Sequence, residues 1–397
     1  MRRFHRFLAV FAVFIGLYVS VTGIVLQAID LKVLLTQAPA SDPDLRAIRE
    51  GRNGPPNFVV AKDSDVSAAP LPADFNFGQA LARTTGAARA QLYGAPLSLV
   101  EFRMVGQRPV GQVASRGAML RVDLASGTVE PLPKLGPPPP GLPSLRNTVK
   151  NIHRMLAYGD VGVAIFFVLA LAMCAMLVTG LTLYVRLLRA RLKLGRPSPF
   201  WSAGSAWRSL HRAVAVASAL FLIVVVGSGT LLAFGDVGVS AYRLAHHGTR
   251  PGTTVDVSAP LSDAQLAAML RVTLASWRAD HPAEAIRVLR LRSFAGMPQG
   301  VVVTGGDDAR QVAYDATTGA VASLSGAHYP ATGQPFGWAE DQFVKGIHRG
   351  DAFGMVGRWI SLFTGLSLLF LSMSGGVTYW ELWNRRRIAG RRGLFWP

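Results

Sequence analysis

Residues 4–26 read FHRFLAVFAVFIGLYVSVTGIVL, and residues 210–232 read LHRAVAVASALFLIVVVGSGTLL. Set one under the other without a gap, His5-Arg6 falls on His211-Arg212, Ala9-Val10 on Ala215-Val216, and Thr22-Gly23 on Ser228-Gly229. In both stretches the histidine precedes the hydroxyl residue by 17 positions, and residues 7–26 and 213–235 carry no charge. Each run is about as long as the ~20 residues that cross a ~30 Å hydrocarbon core.

Two further uncharged runs, residues 161–185 and 360–380, give four predicted transmembrane helices. They form a second matching pair. Ile152-His153-Arg154 matches Ile347-His348-Arg349, Gly159 and Gly162 match Gly354 and Gly357, and Thr179-Gly180 matches Ser374-Gly375, with 26 residues from histidine to hydroxyl in both. The connections repeat as well. Residues 77–92 and 262–277 read as amphipathic helices, and each is followed by strand-like alternation and a hairpin signal, Asp123 to Gly127 and Asp315 to Gly319. The expected fold class is an α-helical membrane protein: a four-transmembrane-helix bundle from a tandem duplication, with two periplasmic α+β domains. An even number of helices per copy puts both copies in the same orientation, related by an axis along the membrane normal.

The expected boundaries are transmembrane helix 1 at 1–28, periplasmic domain 1 at 29–147, helix 2 at 148–188, a cytoplasmic loop at 189–206, helix 3 at 207–236, periplasmic domain 2 at 237–343, helix 4 at 344–386 and a tail at 387–397. Pro137 to Pro140 reads as a stiff extended linker into helix 2. The uncharged N-terminal run is longer than the 7–15-residue apolar stretch of a signal peptide, so it is expected to stay as a helix.

The formal net charge of +18 invites a nucleic-acid reading, but charged residues are only 16% of the chain, and the basic ones flank the apolar runs. Arg2, Arg3 and Arg6 precede the first; Arg186, Arg189, Arg191, Lys193 and Arg196 follow the second; Arg208 and Arg212 precede the third; Arg385, Arg386 and Arg387 follow the fourth. This positive-inside pattern predicts a multi-pass inner-membrane protein with both termini cytoplasmic, a lipid bilayer as its surroundings and no nucleic-acid partner. Cys174 is the only cysteine, which excludes an intrachain disulfide, a C-x-x-C-H haem attachment and cysteine-based zinc or iron–sulfur sites.

Topology sorts the repeated histidines into two levels, His5 with His211 and His153 with His348. Two neutral imidazoles facing each other across a helical bundle are the ligands of a b-type haem, and metal ligation keeps such rings uncharged in the membrane. Two haems at two depths are expected, with Arg6, Arg154, Arg212 and Arg349 beside the ligands as partners for the propionates. Asp160 and Asp351 read as capping or rim ion-pair groups, and Thr22, Thr179, Ser228 and Ser374 as local packing. The competing reading of each His-Arg pair is a helix anchor that snorkels to the headgroups.

The I-H-R-x4-G-x2-G and L-H-R helix starts, the hydroxyl-glycine pairs and the D-x-x-[ST]-G hairpins resemble the PepSY-associated transmembrane family, over nearly the whole chain from His5 to about Arg387. That family includes inner-membrane iron-uptake proteins and ferric-siderophore reductases. The resemblance implies PepSY-like outer domains on a haem-bearing bundle, with His5, His153, His211 and His348 as ligand positions. It also implies reduction of ferric siderophores or other iron chelates at the periplasmic face. No Gly-rich dinucleotide fingerprint is present, so the electron donor is expected to be a separate cytoplasmic reductase or a quinol. The alternatives are a non-enzymatic, membrane-anchored PepSY binding or regulatory module, and a small permease component of iron uptake.

Overall fold

The computed structural model describes residues 2–38, 42–49, 65, 68–115, 118–132, 144–202, 204–247, 259–294, 297–304, 311–322, 337–390 and 393. Pro137 to Pro140 and His328 lie outside the described residues.

Four helices are long and apolar enough to cross a membrane, over Phe4–Leu35, Leu156–Lys193, Ala219–Ala245 and Asp351–Ile388. They belong to α1 (Arg2–Leu35), α5 (Gly159–Lys193), α7 (Ala219–Ala245) and α10 (Gly354–Ile388). Helix α1 packs against α5 and α10, and α7 against α5 and α10, so α1 faces α7 and α5 faces α10 across the bundle diagonals. Phe14, Val168, Leu220 and Phe363 lie exposed on its outside, where in water they would be unstable and in lipid they are at home.

The predicted helices 2 and 4 are each two pieces. Short helices α4 (Leu145–His153) and α9 (Trp338–Arg349) end at the histidine motif, and a 3₁₀ turn, Leu156–Tyr158 or Asp351–Phe353, then leads into α5 or α10. This is what the I-H-R-x4-G-x2-G spacing encodes. Gly159 and Gly354 start the long helices at φ of 60° and 58°, a conformation that favours glycine. A Cβ on Gly162 would lie 2.3 Å from the Met155 carbonyl oxygen, and one on Gly357 would lie 2.2 Å from that of Gly350, so only glycine lets the turn fold back onto the helix. The third predicted helix also begins with a separate piece, α6 (Ala206–Ala217), which ends at Ser218.

The extramembrane segments contribute α3 (Phe77–Gln91), β1 (Leu99–Val105), β2 (Arg108–Ser115), β3 (Ala118–Asp123) and β4 (Val129–Leu132) from the first connection. The second supplies α8 (Asp263–Asp280), β5 (Val288–Phe294), β6 (Met297–Val303) and β7 (Gln311–Asp315). They do not form two separate sheets. Strands β1 and β5 pair antiparallel, joining everything into one seven-stranded sheet in the order β4-β3-β2-β1-β5-β6-β7. The merger covers what would otherwise be two open strand edges. Helices α3 and α8 start at side-chain caps, Asn76 accepting from the Gln79 amide and Ser262 forming a capping box with Gln265. They pack on one face of the sheet, where Trp277 of α8 joins Phe102, Val113, Leu289, Leu291 and Tyr314 of the strands in one core. Each such side chain contributes about 1.5–3 kcal/mol by leaving water.

The predicted hairpin turns form as their spacing requires. Asp123 Oδ1 accepts from the amides of Ala125 and Ser126, and Asp315 Oδ1 from those of Thr317 and Thr318; Gly127 and Gly319 close the turns at φ of 77° and 79°. The backbone amides of Ser126 and Ala125 hold the Asp123 carboxyl below its ordinary pKa.

A short helix α2 (Pro43–Arg49) packs against α1 and α4. All four connections to the sheet leave from one end of the bundle, at the end of α1, the start of α4, the end of α7 and the start of α9. The opposite end carries the start of α1, the α5–α6 connection and the end of α10.

Candidate functional site

Each repeated histidine meets the hydroxyl-glycine pair of a neighbouring helix. At the basic end, His5 Nδ1 lies 2.8 Å from Thr179 Oγ1, and His211 Nδ1 lies 2.8 Å from Ser374 Oγ. At the sheet end, His153 Nδ1 lies 2.7 Å from Thr22 Oγ1, and His348 Nδ1 lies 3.2 Å from Ser228 Oγ. The residues read from sequence as local packing groups therefore have a different job. Their role is invisible in a single helix because donor and acceptor come from different ones.

The direction of these bonds follows from proton counting. A hydroxyl has one hydrogen. Thr22 donates its own to Tyr18 O at 2.7 Å, Thr179 to Ala175 O at 2.8 Å, Ser228 to Val224 O at 2.6 Å and Ser374 to Phe370 O at 2.7 Å. Such i−4 back-bonds are the ordinary way for a hydroxyl to be satisfied inside an apolar helix. The hydroxyl oxygen is then left to accept, so the imidazole proton sits on Nδ1. For His348 the Val225 carbonyl, 3.0 Å from Nδ1, requires the same, since a carbonyl only accepts. In a neutral ring this leaves Nε2 as a bare lone pair, and no described residue bonds Nε2 in any of the four.

The glycine after each hydroxyl makes room for the ring. A Cβ on Gly229 would stand 2.9 Å from His348 Cε1, and one on Gly180 would stand 3.3 Å from His5 Cε1; at Gly23 and Gly375 the distance to His153 or His211 is 3.6 Å. His5 and His211 lie within electrostatic reach of each other, as do His153 and His348. The levels are separated along α1 by the 17 residues from His5 to Thr22, about 26 Å of helix.

Residues 2–381 match the family model described as PepSY-associated TM region. The chain belongs to this family. No curated protein matches it.

In this PepSY-associated membrane protein the arginines after the histidines are already engaged. Arg154 pairs with Asp236 on α7, its Nε 3.0 Å from Oδ2. Arg349 Nη2 lies 2.5 Å from Asp351 Oδ2 and donates to the Ile48 carbonyl at 3.0 Å. Arg212 donates to the Trp201 carbonyl at 3.0 Å. Arg6 is half-buried near the start of α1, beside His5.

The ion pairs expected at Asp160 and Asp351 are present. Arg243 reaches Asp160, and Asp351 meets Arg349 and Arg358, the latter at 2.5 Å. The hub of the larger cluster, Asp30, was not singled out from the sequence. It is 1% exposed and accepts from Arg146 Nε at 2.6 Å and Arg358 Nη1 at 2.8 Å, tying α1, α4 and α10 together. A signal was there to find. Asp30 and Asp236 stand at the same 206-residue offset as His5 and His211, and a carboxylate close to an apolar run needs a partner. Gln27 donates to the Arg349 carbonyl and to Ser361, both at 3.0 Å, adding to the same cluster.

His246 and His247 are exposed. His281 stacks on Trp277 with centroids 4.2 Å apart. None of them joins the four.

Proposed function

We propose that the chain is a duplicated inner-membrane electron-transfer protein that carries two haems b and reduces ferric chelates, ferric siderophores foremost, on the side of the sheet. The observation that carries this reading is the fourfold Nδ1–hydroxyl bond, in which the acceptor's own hydrogen is committed to its helix. Every ring is thereby held in one tautomer and one orientation, the arrangement that partners behind a metal-ligating histidine normally supply.

The residues fit the cofactor. His5 with His211, and His153 with His348, are the residues that would hold it. Among the described residues no three His, Cys, Asp or Glu gather to hold a metal ion. Two imidazoles per level therefore suit an iron whose other ligands come with it in a macrocycle. Bound haem supplies a one-electron couple. The protein's share is to keep Nε2 unprotonated, exclude water with the apolar bundle, and offer guanidinium groups at the rim. Arg349 and Arg154 are the nearest to the sheet-side pair, each sharing its charge with a carboxylate. A ferric chelate that accepts one electron becomes ferrous, and hard oxygen donors hold Fe(II) less tightly, which frees the iron. The electron comes from a reductase or quinol on the opposite, basic side, which the positive-inside rule makes cytoplasmic.

A reduced-minus-oxidised visible spectrum with haem quantification on protein from a haem-replete host tests the reading. Two haems per chain are expected, with one lost in His153→Ala and the other in His211→Ala. A colourless protein would remove the proposal.

A further inference from the structure

The basic end of the bundle carries a constellation of which the haem reading uses only Arg212. Arg191 in the last turn of α5 and Arg212 in the first turns of α6 stand over Trp201 in the loop between them, and Arg208, one turn before Arg212, lies close to Arg212. The Arg191 guanidinium stands 4.7 Å from the Trp201 ring centroid and that of Arg212 4.9 Å, while Tyr184 stacks on the indole at 5.7 Å. Arg191 and Arg208 both lie close enough to Arg212 to repel it. The Nε atoms of Arg191 and Arg208 are buried without an acceptor, and among the described residues neither arginine meets a carboxylate.

Topology alone does not account for this. Arg186, Arg189, Lys193 and Arg196 satisfy the positive-inside pattern from exposed positions at the same end of the bundle, whereas the three clustered arginines are half-buried. The C-terminus of α5 favours a cation, which explains one of them. Two guanidinium groups on one ring with a third close by, the Nε atoms of Arg191 and Arg208 dry, repel strongly in a medium of low dielectric constant unless an anion joins them. The guanidinium fork matches a phosphate in two-point geometry. At the depth of an interfacial Trp and Tyr, the phosphate at hand is that of a lipid headgroup.

We propose that Arg191, Arg208 and Arg212, clustered at the Trp201 loop, form a binding site for the phosphate of an anionic phospholipid headgroup. The site shares Arg212 with the haem reading, whereas Arg191 and Arg208 have no part in that reading.

The test uses the full-length protein in nanodiscs of phosphatidylcholine, alone or doped with phosphatidylglycerol, read by native mass spectrometry and by the thermal midpoint. Phosphatidylglycerol should remain bound and raise the midpoint. Arg191→Lys and Arg208→Lys keep the charge but lose the fork, and should each weaken retention about tenfold or more. Arg186→Lys and Arg196→Lys should leave it unchanged. Equal weakening by both sets, or no response to phosphatidylglycerol, would overturn the site. Equal stabilisation by inorganic phosphate in phosphatidylcholine discs would overturn the lipid assignment. Loss of haem rather than lipid in the clustered variants would do the same by marking the site as a propionate receptor.

Discussion

Glu101 and Arg290 stand directly opposite one another across the β1–β5 seam, and they occupy the same position in the two halves of the chain. The correspondence follows from close contacts elsewhere. Thr84 presses on Gly111 and Thr273 on Gly300, with a glycine Cβ that would come within 2.0 Å or 1.9 Å of the threonine hydroxyl. Each member of the second pair lies 189 residues beyond its counterpart, and so does Arg290 beyond Glu101. The residue at the midpoint of such a seam faces its own counterpart, where two like charges would repel. Here the charges are opposite, with Arg290 Nε 2.6 Å from Glu101 Oε2. Among the described residues, Asp65 and Arg103 join them in a buried group of two acids and two bases.

Removing one member of that group leaves a buried charge uncompensated, which costs about 3–5 kcal/mol. Glu101→Gln is therefore expected to lower the thermal midpoint of the purified protein sharply. Glu101→Gln combined with Arg290→Gln leaves Asp65 with Arg103 and should be less damaging than the single change. A double-mutant cycle followed by circular dichroism checks this. Additive losses would show that the pair is not coupled.

The hydroxyl partners give a second prediction. Thr22→Val and Ser374→Ala remove the acceptor from His153 and His211, while the bond each hydroxyl donates stays within its own helix and contributes little to folding. Haem affinity is expected to fall about 10–100-fold, the usual effect of losing a group behind a metal ligand, with the thermal midpoint of the haem-free protein nearly unchanged. Haem titration followed at the Soret band measures the first, and a melting curve the second. Unchanged affinity would mean that the hydroxyls do not orient the rings.

Much of this architecture is legible in the sequence because membrane helices and tight turns are local. The uncharged runs, the Asp-to-Gly hairpins and the two-level placement of His5, His153, His211 and His348 follow from composition and spacing alone. The break between His153 and α5 is less visible, since Gly159 and Gly162 at that spacing also suit a continuous helix that packs closely. The fusion of the sheet depends on which edge strand finds which, and β1 carries no mark of that choice beyond Glu101 standing where Arg290 stands in the other half. The bond from each histidine to a neighbouring helix's hydroxyl is a long-range fact. His5 and Thr179 are 174 residues apart, and periodicity within one helix places Gly23 on the face of His5 although it serves His153.

Glycine at the ring contacts should be graded in importance. Alanine favours a helix over glycine by about 1 kcal/mol, so a tolerated substitution is neutral or stabilising. Gly23→Ala places its methyl 3.6 Å from His153, an ordinary contact, whereas Gly229→Ala places it 2.9 Å from His348, where the ring must move. Gly229→Ala is expected to destabilise by about 1–3 kcal/mol and to perturb the spectrum of the sheet-side haem, with Gly23→Ala close to wild type. Equal behaviour of the two would indicate that the ring of His348 is free to shift.

The carboxylates at corresponding positions of α1 and α7 should differ in the same graded way. Asp30 and both its arginine partners are nearly inaccessible, with side-chain exposures of 2%, 5% and 3%. Asp30→Asn leaves the Arg146 guanidinium buried without its carboxylate and Arg358 with Asp351 alone, and a cost of about 3–5 kcal/mol follows. Asp236 serves one arginine, Arg154, whose side chain is 29% exposed and can turn to water. Asp236→Asn is therefore expected to cost about 1 kcal/mol. Thermal unfolding of both variants in one detergent, followed by tryptophan fluorescence, separates the two values. Raising the salt concentration should weaken only the Asp236 pair, because screening reaches exposed charges and not buried ones. If Asp30→Asn proves as mild as Asp236→Asn, the buried cluster does not hold α1, α4 and α10 together, and packing between α1 and α10 would have to carry that end of the bundle alone.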